Sequence, residues 1–82
     1  MEDPTQPAVT TLDVRGLSCP LPVLKANKAL RALDAGALLE VWATDPAALK
    51  DFPVFAEETG HRLEEVRQAG GHHVFLLRKR AA

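Results

Sequence analysis

The chain has a single cysteine, few aromatic residues (5%), no long apolar run and no surplus of either charge. One cysteine excludes an internal disulfide and Cys-x-x-Cys redox chemistry, and it fits a reducing compartment. The longest apolar runs, Ala35 to Leu39 and Val74 to Leu77, are far too short to span a bilayer. The acidic start, Met1-Glu2-Asp3, leads into no apolar stretch, so no secretory signal is expected. The expected location is the cytoplasm, away from membranes. With so few aromatics the core must be built mainly from Leu, Val and Ala. A net charge of −1 argues against a protein held on DNA or RNA by bulk electrostatics. No predicted strand carries an exposed aromatic pair on which bases would stack.

What is present is the balance of an ordinary globular domain: 82 residues, 46% hydrophobic and 26% charged. That length supports one core. Basic residues gather at Lys25, Lys28 and Arg31 and at Arg78-Lys79-Arg80, while Glu57, Glu58, Glu64 and Glu65 make an acidic half. The pattern reads either as a basic patch for an acidic partner or as a solvated surface of mixed sign.

Residues 1–9 lack periodicity and carry two prolines, and are expected to form a flexible leader to a single domain over 10–80. Thr10 to Arg15 alternates as a half-buried strand, ended by Gly16. A helical pattern then runs to about Leu33, with Val23, Ala26, Leu30 and Leu33 on one face and Lys25, Lys28 and Arg31 opposite. Pro20 and Pro22 fall in its first turn, where a missing N–H costs nothing, with Ser18 or Cys19 as cap. Ala37 to Thr44 reads as a second strand, with Leu39, Val41 and Ala43 on one face and Leu38, Glu40 and Trp42 on the other. Asp45-Pro46 is a cap for a second helix. Pro53 is expected to break that helix near Phe52, Asp51 capping a new segment that ends at Gly60. His61 to Gln68 is a weaker strand with a bulge or an edge position. Ala69-Gly70-Gly71 is a hairpin turn, and His72 to Lys79 the last strand. The order β-α-β-α-β-β predicts an α/β two-layer sandwich, two helices on one face of a four-stranded mixed sheet.

Cys19 carries the chemistry of interest. A lone cysteine is often a small buried apolar residue. Beside Ser18 and two prolines at a helix start, exposure is the better expectation. The free N–H groups and positive dipole end of a helix stabilise an anion, so a lowered thiol pKa is expected. No residue near Cys19 in sequence is an obvious general base, so a Cys-His hydrolase has no support.

At Cys19-Pro20-Leu21-Pro22, preceded by Leu12-Asp13 and Gly16-Leu17, the chain resembles the TusA/SirA-like family of small sulfur carriers. A second block, Asp45-Pro46-Ala47 with Asp51-Phe52-Pro53-Val54-Phe55 and Gly60-His61, is similar too, as is the ending Arg78-Lys79. Many members have arginine where this chain has Ser18, and some have glutamate where it has Leu21. The resemblance implies two helices on a four-stranded sheet. It also implies that Cys19 accepts a persulfide sulfur, framed by Pro20 and Pro22. The donor would be a cysteine desulfurase or rhodanese, and the sulfur would pass to a relay protein. Family destinations include transfer-RNA thiolation, molybdenum-cofactor biosynthesis and sulfur oxidation. Such a carrier is a sulfurtransferase that need not turn over alone, and it requires no cofactor. A monomer is expected, because one sulfur must face successive partners.

Leu24, Lys25, Lys28, Arg78 and Lys79 are candidate docking contacts. Asp13 is placed either to orient the cysteine loop or simply to face solvent. Adjacent His72 and His73 point to opposite faces of a strand, so no metal site is expected. Trp42 and Leu38 mark either a docking or dimer surface or a pair packed on one another. Two other function classes remain: a non-catalytic interaction or regulatory module using the Pro-rich turn as a rigid cap, and a small RNA-binding domain.

Overall fold

The computed structural model describes residues 9–81. The expected leader lies outside the described residues except for Val9, which opens the first strand. The elements are β1 (Val9–Asp13), α1 (Leu21–Arg31), β2 (Leu38–Ala43), α2 (Ala48–Thr59), β3 (Arg62–Ala69) and β4 (His72–Arg78). The sheet order is β1-β2-β4-β3. β1 runs parallel to β2, whereas β4 is antiparallel to both β2 and β3. Both helices pack on one face, as the alternation of apolar residues along the strands requires.

That face is the core. Leu39, Val41 and Ala43 of β2 and Phe75 and Leu77 of β4 are fully buried against Ala26 and Leu30 of α1 and Phe52 of α2. Phe52 stacks on Phe75 with ring centroids 4.5 Å apart and meets Phe55 edge-on at 6.3 Å. Three phenylalanines thus fill the space that two helices leave over a small sheet. Full burial of such a side chain contributes about 1.5–3 kcal/mol.

α2 differs from expectation: it is one continuous helix with Pro53 inside it. Proline cannot donate to the Leu49 carbonyl, but Leu49 and Pro53 both lie on the exposed stripe. Water can reach the freed carbonyl there, and the buried stripe of Phe52, Phe55 and Ala56 holds the turn together. Gly60, at φ 82°, ends the helix in the left-handed conformation, its N–H donating to the Ala56 carbonyl at 3.0 Å. α1 ends at Arg31, two residues before the expected Leu33.

β3 is an exposed edge strand whose register slips between Leu63 and Glu65, the bulge that its out-of-phase apolar residues announce. Gly70 and Gly71, at φ 57° and 86°, supply the two positive values that a tight hairpin needs. The other sheet face carries no helix. Trp42 lies on it, its indole N–H donating to Glu40 at 3.2 Å, with His72 against its ring at 5.3 Å and the Arg15 guanidinium at 5.2 Å. Arg67 pairs with Glu40 at 2.8 Å. Trp42 is therefore engaged by polar and cationic neighbours from two strands and a loop rather than left as a bare apolar patch. His73, on the opposite face from His72, lies near Phe75 and bonds Gln68. Among the described residues no helix is long and apolar enough to cross a membrane.

Candidate functional site

The loop between β1 and α1 is held at both ends. At its start, Asp13 takes the Arg15 N–H at 3.1 Å, and the Arg15 guanidinium at 2.9 and 2.8 Å. These bonds hold the Asp13 carboxyl down at about 2. Asp13 thus organises the turn into the cysteine loop. Val14 donates to the Trp42 carbonyl at 2.9 Å, and Gly16 to Thr44 Oγ1 at 2.8 Å. At the far end, Cys19 N–H donates to Asp45 Oδ2 at 2.6 Å. The other Asp45 oxygen accepts the Ala47 N–H at 3.1 Å. One carboxylate therefore ties the cysteine loop to the start of α2. Both bonds favour its ionised form and lower its pKa.

Pro20 is the residue at the cap of α1, and no side chain caps the helix. The Cys19–Pro20 peptide bond is cis. Pro22 occupies the second helical position with its ring buried in the fold, so it anchors the turn as well as stiffening it. Leu21 N–H donates to Ser18 and Leu24 N–H to Pro20. Cys19 itself is free and exposed. It stands at the rim of a groove of about 310 Å³ lined by Pro20 and Val23 from the α1 side and by Lys50, Asp51, Val54, Phe55 and Glu58 from α2.

The nearby Asp51 carboxylate first, then partial desolvation and the charge of Asp45, push the Cys19 thiol pKa above the ordinary value. This reverses the expectation of a helix-stabilised thiolate, and the reason is geometric. Cys19 N–H is committed to Asp45, Leu21 N–H to Ser18, and the two prolines have none. Two of the donors at this turn are thus used and two are missing, and Asp51 shares the groove with the sulfur.

The candidate docking residues divide into two groups. Leu24, 55% exposed, and Lys25 and Lys28 lie on the solvent flank of α1, the two lysines bordering a second hollow with Leu12, Ala29 and Ala32. Arg78 and Lys79 sit at the other end of the molecule. Arg78 bonds Glu64 at 2.6 Å and the Gly36 carbonyl at 3.1 Å, and Lys79 Nζ donates to the Leu30 carbonyl at 2.7 Å. They close the C-terminal end of α1, about 15 Å of helix away from Cys19.

Sequence reading missed the α2 wall of the groove. Asp51, Val54, Phe55 and Glu58 follow the i, i+3, i+4, i+7 spacing of one helix face, which was legible. That this face meets Cys19 was not.

A family profile described as Sulfurtransferase TusA matches residues 10–79. The chain is 50% identical over 68 residues to a sulfur carrier protein TusA of Allochromatium vinosum, covering 83% of this chain and 90% of that one. It is 40% identical over 77 residues to the protein of that name from Pseudomonas paraeruginosa, covering 94% and 98%. The fold matches the crystal structure of a SirA-like protein from Desulfitobacterium hafniense with a TM-score of 0.76 and 27% identity, over 89% of this chain and 99% of that one. With its sequence matched from the first strand to the last, and a cysteine presented at the start of α1 in that same fold, the chain belongs to the TusA family.

Proposed function

We propose that the protein is a sulfur carrier whose acceptor is Cys19, acting through the single domain 10–80. The observation that carries this is the presentation of the one cysteine: exposed, at a rigid Pro-framed turn, on the rim of a groove of about 310 Å³. In loading, the Cys19 thiol gives its proton to solvent and, as the thiolate, attacks the outer sulfur of a donor persulfide. The new S–S bond forms as the donor's S–S bond breaks, and the donor cysteine leaves as thiolate, with no net oxidation. In unloading, an acceptor thiolate attacks the outer sulfur of the Cys19 persulfide, and Cys19 leaves in turn.

A cysteine desulfurase or rhodanese serves as donor and a downstream relay protein as acceptor. Leu24, Lys25 and Lys28 flank the approach. Arg78 and Lys79, spent on internal bonds, are not part of it. The carrier acts as a monomer in the cytoplasm, where a single exposed thiol stays reduced.

The test is intact-mass spectrometry after incubation with cysteine and a cysteine desulfurase. A gain of one sulfur atom, reversed by reductant and absent in Cys19→Ser, is expected. No gain from that donor, from a low-molecular-weight persulfide or from a thiosulfate-loaded rhodanese would overturn the reading, and an interaction module would take its place.

A further inference from the structure

The cysteine loop is hydrogen-bonded along most of its length. Val14, Arg15, Gly16, Leu17 and Cys19 all donate their backbone N–H groups. Two of these bonds stay within the segment: Arg15 N–H to Asp13 Oδ1 at 3.1 Å, and Leu17 N–H to the Val14 carbonyl at 3.2 Å. They shape the loop without fixing it to the rest of the fold. The other three cross to the end of β2. Val14 N–H meets the Trp42 carbonyl at 2.9 Å and continues the strand ladder. Beyond it, side chains take over from the backbone: Thr44 Oγ1 accepts Gly16 N–H at 2.8 Å, and Asp45 Oδ2 accepts Cys19 N–H at 2.6 Å. Thr44 and Asp45 are adjacent residues in the connection from β2 to α2. The other Asp45 oxygen holds the N–H of Ala47, the residue before α2, and α2 supplies one wall of the groove at Cys19. The pair therefore ties the place of Cys19 both to the sheet and to that wall.

We propose that Thr44 and Asp45 are positioning residues for sulfur transfer: together they clamp the cysteine loop and fix the direction in which Cys19 presents its sulfur at the groove. The inference deepens the sulfur-carrier reading and rests on it for the step that is positioned. In that step one S–S bond forms at Cys19 as the donor's S–S bond breaks, with the attacking and leaving sulfurs in line. Such a displacement is sensitive to small errors in placement. Both residues act through the backbone N–H groups they accept. Two N–H groups converge on Asp45 and use both of its oxygens, a demand that asparagine, with one acceptor, cannot meet.

The experiment is the rate of sulfur loading of the full chain from a cysteine desulfurase persulfide, followed by intact mass over a range of donor concentrations. Thr44→Val keeps the side-chain shape and loses the acceptor. Asp45→Asn keeps the shape and one acceptor. Each is expected to load about tenfold more slowly at saturating donor, with the half-saturating concentration within about twofold of wild type. Thr44→Ser retains the hydroxyl and is expected to recover most of the rate. Iodoacetamide, a small reagent that needs no fixed approach, is the control. Cys19 is the only cysteine, so every adduct reports on it. After Asp51 and desolvation, the charge of Asp45 raises the thiol pKa. Alkylation of Asp45→Asn should therefore match or exceed wild type, and that of Thr44→Val should match it. Wild-type loading rates in both variants, no recovery in Thr44→Ser, or alkylation that falls in parallel with loading overturns the proposal. Amide exchange at Gly16 and Cys19 reads the clamp without sulfur. It is expected to quicken at both positions in either variant, and a change confined to the one amide that lost its acceptor overturns the clamp. Should wild type take up no sulfur, the carrier reading falls, and amide exchange still decides on the clamp.

Discussion

Asp45 does two tasks with one carboxylate. Sequence reading expects it to cap α2 with Pro46 as the first helical residue, but the helix starts at Ala48 with Ala47 as its N-cap and no side-chain cap bond; Asp45 instead closes the turn before it by accepting the Ala47 N–H. Its second oxygen on Cys19 N–H is a contact across 26 positions, beyond any local pattern. Asp45→Ala is expected to lower the melting temperature and to loosen the cysteine loop, seen as faster hydrogen exchange at Cys19 and its neighbours. Because its folded-state pKa lies below the ordinary 3.8, Asp45 stabilises the protein above that pH. The contribution is lost as acid protonates it. Asp13, held at about 2, follows the same sign. Cys19 has the opposite sign. Folding favours its protonated form, so its contribution is whole below the ordinary 9.0 and declines as pH rises through the folded-state value. Chemical denaturation of wild type and Cys19→Ser near pH 7 and near pH 10, where the free thiol is mostly ionised, checks this. Only wild type should lose that increment at the higher pH.

At the scale of the element, α2 shows how far a local rule extends. Proline inside a helix costs about 3 kcal/mol relative to alanine, which argued for a break near Phe52. The helix continues because Phe52, Phe55 and Ala56 bury one stripe while Pro53 lies on the exposed one. Pro53→Ala restores the missing hydrogen bond but also frees the unfolded chain. The balance should raise stability by about 1–2 kcal/mol, measured by urea denaturation. α1 behaved as its periodicity implied, with Ala26 and Leu30 buried and Lys25, Lys28 and Arg31 outward. The surprise there is Pro22, packed inside rather than framing the cysteine from without. Its fixed φ was evident from sequence. Its burial depends on how α1 lies on the sheet.

Across the whole molecule, stability rests on one small core whose centre is the Phe52–Phe75 stack. Phe52→Ala should cost about 3–5 kcal/mol, a large share of the total for a chain of this size, and shift the denaturant midpoint accordingly. Beside that core, His61 is 8% exposed and accepts the Arg80 N–H at 3.0 Å through Nδ1. Burial, then the charges of Lys79 and Arg80, push its pKa below 6.5. The unfolded chain therefore takes up the proton first as pH falls, and stability is full above 6.5 and declines below it. A lower urea midpoint near pH 5.5 than near pH 7.5, largely abolished in His61→Gln, is the expected result, the two values bracketing ordinary histidine titration.

Element order, strand faces, the bulge in β3 and the exposed cysteine turn were all legible in the chain, because each follows from periodicity, turn chemistry or proline geometry over a few residues. Leu39, Val41 and Ala43 alternate, and they are buried as alternation demands. The direction in which the Cys19 pKa is shifted was not legible. Helix-terminus reasoning offers the sulfur the N–H groups of Cys19 and Leu21, but hydrogen bonds to Asp45 and Ser18 use these two. The carboxylate that contributes most to that shift, Asp51, comes from a helix more than thirty positions away in the chain. Local sequence decides which groups are available to a site. Packing of α1 against α2 decides which of them meet, and electrostatic energy depends on that distance rather than on separation along the chain.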